Sequence, residues 1–197
     1  MSKRKTLLGI IRAPFLILQP ASVLLGLGTA TWAIGKVNPL HLILALFGAI
    51  IANISVNVFN EYLDFKSGLD ARTRRTPFSG GSGTLPAAPE MAGFALTVAW
   101  ITFAITALIG VYFLSVWGLA LLPLGILGLL IVLTYTNWAT RSPFLCLLTP
   151  GLGCGVAVVM GTHFVLTGQY DWTAFIASLV PTFLVSNLLL LNQFPDV

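Results

Sequence analysis

Long apolar runs broken by short polar stretches divide the chain. Six runs are long enough to cross a bilayer, which takes about 20 apolar residues in a row. They are Pro14 to Gly35, Leu40 to Asn60, Met91 to Leu114, Val116 to Tyr135, Pro143 to Leu166, and Trp172 to Phe194. In lipid every backbone amide must be satisfied within its own segment, so each run predicts an α-helix. The pattern therefore predicts an all-α, polytopic transmembrane bundle forming a single domain over residues 1–197. Leu114 and Ser115 leave almost no loop, so the third and fourth spans are expected to form a tight hairpin. Lys3-Arg4-Lys5 followed by Leu7 to Ile11 superficially resembles a signal peptide. Arg12 and Pro14 interrupt that run and the next one is long enough to span, so the first helix is read as retained.

The polar interruptions carry the functional signal. Asn53, Asn57, Asn60 and Asp64 follow one another at spacings of 4, 3 and 4 residues, which puts all four on one stripe of a helix. Lipid cannot satisfy such side chains, so the stripe is expected to face the bundle interior or a cavity. For Asn53 alone, hydrogen bonding between helices is the preferred reading. Asn192 and Asp196 form a second Asn-x-x-x-Asp pair at the end of the sixth span. An even number of crossings separates the two pairs, so both fall at the same membrane face. Two such pairs at matching depth are a candidate for a divalent cation such as Mg²⁺, which takes oxygen ligands and usually one or two carboxylates plus substrate phosphates. Tyr135 and Arg141 close the fourth span at that face, where they can meet an anion or a cationic intermediate.

Charge sharpens this picture. Only 8% of the residues are charged and 57% are hydrophobic, against about 25% charged in a soluble domain. With the N-terminus in the cytoplasm, nine of the ten Lys and Arg lie inside and Lys36 alone lies outside, a strong positive-inside signal. Glu61, Asp64, Asp70, Glu90 and Asp196 fall on the same side, leaving Asp171 opposite. The one long polar segment, Lys66 to Pro86, holds Lys66, Arg72, Arg74 and Arg75 among glycines. Basic residues beside carboxylates make sense if a metal-bound polyanion sits between them, and Arg suits phosphate through its planar fork of donors. No nucleotide-binding Gly-Lys-Ser/Thr occurs. Gly151 to Gly155 lies inside an apolar span beside Pro150, and reads as close packing or a kink. Cys146 and Cys154 read as small core residues, and His163 is given no catalytic role. A transporter would place charge at mid-membrane, whereas here it gathers at one face. A non-catalytic scaffold binding anionic lipid through the basic loop would be opposed by the neighbouring acids.

Asn60-Glu61-Tyr62-Leu63-Asp64, followed by Gly68 and Asp70, resembles the first aspartate-rich motif of the UbiA prenyltransferases. Glu61 stands where the wider family favours Asp, and Asp70 lies two positions beyond the usual third acid. That variant is similar to the branch that prenylates 1,4-dihydroxy-2-naphthoate in menaquinone synthesis. Arg74-Arg75-Thr76-Pro77-Phe78-Ser79-Gly80-Gly81 resembles the family's basic loop, and Arg12-Ala13-Pro14 its entry to the first helix. Tyr135-Thr136 and Arg141 match its positions after the fourth helix, and Asn192-Gln193-Phe194-Pro195-Asp196 the start of its second motif. The resemblance implies transfer of a prenyl group from an allylic polyprenyl diphosphate to an aromatic acceptor within the membrane. It implies Mg²⁺ held by Asn60, Asp64 and Asp196 with Asn192, and catalytic roles for these and for Asp70 and Tyr135. It further implies diphosphate binding by Arg12, Lys66, Arg72, Arg74, Arg75 and Arg141. The expected setting is a bacterial or archaeal cell membrane with the active site at the cytoplasmic face, and no nucleic-acid partner. Family members have about nine membrane helices, so the chain is expected to be truncated at its C-terminus.

Overall fold

A computed structural model describes residues 3–68, 82–135 and 142–193 of the chain. Helix α1 (Lys3–Ile10) precedes the first span. The chain then turns at Arg12, whose backbone is left-handed at φ 50° and ψ 55°, a conformation costing an L-residue roughly 1–2 kcal/mol. Pro14 starts a 3₁₀ turn over Ala13–Ile17, where its fixed φ and missing N–H suit a helix start. Helix α2 (Leu18–Ile34) completes this span. Asn38 opens α3 (Pro39–Ser67) by accepting the Leu40 N–H at 2.9 Å. With 29 residues, α3 is about 43 Å long, more than the roughly 30 Å hydrocarbon core. Its polar C-terminal end therefore reaches the interface.

A short helix α4 (Thr84–Ala87) leads into α5 (Ala92–Trp117). The expected hairpin at Leu114 and Ser115 is displaced: α5 runs on past Ser115 and ends at Gly118, with φ 71° and ψ −165°. Only glycine enters that region readily. A 3₁₀ turn follows, then α6 (Leu122–Thr134). Among the described residues, five apolar helical stretches are long enough to cross a membrane, and one of them, Pro89–Thr134, has 46 residues. That stretch makes two crossings. Leu121 packs with Phe164, Val165 and Leu166 near His41, while Tyr135, after the other end of α6, lies within Coulombic reach of Asp64 at the far end of α3. The third and fourth expected spans are therefore the two limbs of this one stretch.

The fifth span comprises α7 (Pro143–Leu152), a π-helical segment (Gly153–Met160) and α8 (Gly161–Thr167). The last helix is α9 (Trp172–Gln193). Asp171 caps it by accepting the Thr173 N–H at 2.6 Å, and hydrogen bonding from Thr173 holds this carboxyl below the usual range. Gly151 and Gly155 let the fifth span approach α9 closely. A methyl at Gly155 would fall 2.6 Å from the Ser178 carbonyl oxygen and 2.7 Å from the Thr182 nitrogen. This is small-residue packing, as the glycine run led one to expect. Two apolar clusters hold the ends. One joins Ile10, Val58, Phe59, Leu85, Ala95, Ala99 and Val132; the other joins Ala30, Phe113, Leu121, Phe164, Val165 and Leu166. At the second, the Val165 carbonyl accepts Trp117 Nε1–H at 3.0 Å and stands 3.2 Å from His41 Nδ1. Thr29 gives its hydroxyl proton to the Gly26 carbonyl at 2.9 Å, so it accepts from His163 Nδ1–H at 3.0 Å. His163 is thus a packed histidine. Cys146 and Cys154 are buried thiols, not joined in a disulfide.

Candidate active site

The polar stripe of α3 faces inward. Asn53, Asn57, Asn60 and Asp64 all line one cavity of about 750 Å³. Asn57 Nδ2 donates to the Asn53 Oδ1 at 3.0 Å and to the Ile11 carbonyl at 2.9 Å, tying the turn before the first span to α3. Asn53 therefore serves a bond within the stripe while also bordering the cavity. Asn60 Nδ2 donates to Asp64 Oδ2 at 2.7 Å. That bond orients the carboxylate and leaves the asparagine oxygen as a further hard donor.

Arg12 and Tyr135 border the same cavity, and Tyr135 lies within Coulombic reach of both Arg12 and Asp64. One end of the cavity therefore combines a carboxylate, a guanidinium, amides and a phenol. Away from that end the lining is almost wholly apolar and runs to Phe113, Leu121 and Val165 at the opposite end of the bundle. Such a chamber suits a molecule with a charged head and a long hydrocarbon tail.

Glu61 is fully buried and does not line the cavity. Its Oε1 accepts Arg12 Nε–H at 2.8 Å and the Ser82 N–H at 2.7 Å, and its Oε2 accepts the Ser82 hydroxyl at 2.9 Å. Arg12 Nη2 also stands 2.8 Å from Oε1. The carboxylate thus aims Arg12 at the cavity and pins residue 82, where the chain returns from the polar loop. Lys66 is exposed and sits over the Tyr62 ring at 5.9 Å, outside the cavity lining. Asp70, Arg72, Arg74, Arg75, Arg141 and Asp196, together with the Asn192 side chain, lie outside the described residues. Gln19, which the polar pattern did not single out, also borders the cavity.

Among the described residues no three His, Cys, Asp or Glu gather into a metal cluster. The donor set at the polar end nevertheless fits a hard cation. Asp64 and the Asn60 carbonyl supply oxygen alone, and Mg²⁺ is commonly held by one or two carboxylates while phosphate and water fill its other positions.

Residues 21–197 match the profile of the UbiA prenyltransferase family. The chain belongs to that family. It is similar to the 1,4-dihydroxy-2-naphthoate octaprenyltransferase of Bacillus subtilis (strain 168), 32% identical over 184 residues. The match covers 89% of this chain and 55% of that protein, so the chain spans about half the length of the curated relative it matches. No solved structure matches significantly.

Proposed function

We propose that the protein transfers a prenyl group from an allylic polyprenyl diphosphate to an aromatic acceptor inside the membrane, in a Mg²⁺-dependent reaction. The observation that carries this reading is the single cavity with a charged end and an apolar length. Its polar end suits a diphosphate and the remainder suits an isoprenoid tail. Bound Mg²⁺ would neutralise diphosphate charge. Asp64 and Asn60 would hold it, joined by Asn192 and Asp196. Arg12, fixed in direction by Glu61, would bind the diphosphate oxygens, and Lys66, Arg72, Arg74, Arg75 and Arg141 would add positive charge. Asp70 would complete the acidic motif.

In the reaction the allylic C–O bond breaks and its electron pair leaves with the diphosphate. Donors fixed beforehand around that oxygen stabilise the departing charge, which is the main electrostatic task. A ring carbon of the acceptor then gives an electron pair to the allylic carbon. The ring regains aromaticity as that carbon releases its substituent, a proton or a carboxylate departing as CO₂, and the bonding electrons return to the ring. The Tyr135 ring would stabilise the allylic cation through its π face. By analogy with the B. subtilis relative, the acceptor is a dihydroxynaphthoate and the product a menaquinone precursor. The distribution of Lys and Arg supports an active site on the cytoplasmic face of a bacterial or archaeal membrane.

The deciding experiment measures Mg²⁺-dependent binding of geranylgeranyl diphosphate to the full-length protein in lipid. Asp64→Ala is expected to abolish it. Unchanged binding would remove Asp64 from the site.

A further inference from the structure

Gln19 is an anomaly in an apolar span. It occupies the second position of α2, seven residues after Arg12, and is only 2% exposed. A primary amide offers two donors and two acceptor lone pairs. One N–H of Nε2 reaches Cys154 Sγ at 3.3 Å, across to the π-helical segment. Oε1 has no partner among the described residues. Leaving a buried polar atom unpaired carries a desolvation penalty that leucine at this position would not. Gln19, Cys154 and Tyr135 border the same cavity. Tyr135 is within Coulombic reach of Cys154 as well as of Arg12 and Asp64. The amide therefore lies just beneath the charged end, before the apolar length begins.

We infer that Gln19 forms the acceptor-recognition subsite, its uncommitted oxygen receiving the O–H of a hydroxylated aromatic acceptor. This rests on the prenyl-transfer reading above. The ligand class follows from the amide. A carboxylate or an ether has no proton to offer Oε1, whereas a phenolic hydroxyl has one. Turning the amide end for end lets Cys154 S–H donate to Oε1 and presents the NH₂ group to the cavity. A hydroxyl both donates and accepts, so it pairs with the amide in either orientation, whereas a carboxylate or an ether pairs with the turned amide alone. Gln19 thus selects the acceptor and takes no part in breaking the diphosphate bond.

The test uses the full-length protein in lipid nanodiscs, and the aromatic probes are titrated without metal or diphosphate, so turnover plays no part. Two probes of similar shape, 1-naphthol and 1-fluoronaphthalene, are titrated calorimetrically against a baseline of empty nanodiscs. The wild type is expected to bind 1-naphthol about tenfold more tightly, as one satisfied buried hydrogen bond predicts. Gln19→Met, close in shape, is expected to erase that preference by weakening 1-naphthol alone. Its affinity for geranylgeranyl diphosphate with Mg²⁺ should be unchanged. Cys154→Ser, which keeps a partner opposite the amide, should retain the preference. Equal binding of the two probes by the wild type overturns the inference whether or not the variant folds. So does a Gln19→Met variant that keeps the preference or loses all three ligands alike. Prenyl transfer is scored separately: no turnover with both substrates bound refutes the proposed function and leaves the probe preference to judge Gln19.

Discussion

Removing the Glu61 carboxylate unfastens three chain segments at once. In Glu61→Ala the Arg12 guanidinium loses contacts at 2.8 Å, and Ser82 loses a backbone bond at 2.7 Å and a hydroxyl bond at 2.9 Å. Stripping one partner from a buried ion pair costs about 3–5 kcal/mol, because the other charge stays behind uncompensated. The Arg12 side chain is 24% exposed, so water recovers part of this and about 2–4 kcal/mol remains. In a chain of this size each kcal/mol moves the melting temperature by roughly 2–4 °C, giving a loss of about 5–15 °C. The assay is a thermal melt followed with a thiol-reactive dye. Both cysteines are buried thiols outside any disulfide, so the dye reports unfolding. A Glu61→Ala protein melting within about 1 °C of the wild type would refute the reasoning. The double variant Arg12→Leu/Glu61→Leu is expected to recover most of the loss, since an apolar pair leaves no buried charge. Failure to recover would mean that packing volume, rather than pairing, sets the effect.

Further outcomes are expected at Tyr135 and at two glycines of the fifth span. Tyr135→Leu should lower kcat about 3–30-fold with diphosphate affinity unchanged, while Tyr135→Phe keeps most activity, as a cation–π contact requires; full turnover in the leucine variant would end that role. Gly155→Ala should cost about 1–3 kcal/mol by forcing a methyl onto the α9 backbone. Gly161→Ala, whose nearest neighbour would be Leu124 Cδ2 at 3.8 Å, should be neutral or stabilising in the same melt.

The reach of the sequence differs sharply from residue to residue. The stripe from Asn53 to Asp64 was legible because lipid cannot satisfy amides and carboxylates, so period and chemistry together leave one direction for them to face. All four do line the cavity. Glu61 was less transparent. Its place beside Asn60 suggested one more acid at the mouth, yet a single step along the helix turns its side chain about 100° away. There it meets Arg12 and Ser82, partners 49 and 21 residues distant that no local pattern announces. The hairpin was misplaced by a few residues because Ser115 interrupts the apolar run. Its hydroxyl instead donates to the Tyr112 carbonyl within α5, and the reversal waits for a glycine. Gln19 went unread because one amide in an apolar span makes no pattern, and only the burial of its unpaired oxygen marks it.

The wide π-helical stretch in the fifth span acts as a phase adjuster. Just before it and in its first turn, Gly151 and Gly155 fit the backbone of α9. On its C-terminal side, His163 meets Thr29, and the Val165 carbonyl serves Trp117 and His41. Deleting one residue between Gly153 and Met160 would rotate everything downstream by about 100°. One set of contacts could then be kept only by giving up the other. Along these eight residues the number of peptide units is therefore under tighter constraint than the side chains they carry.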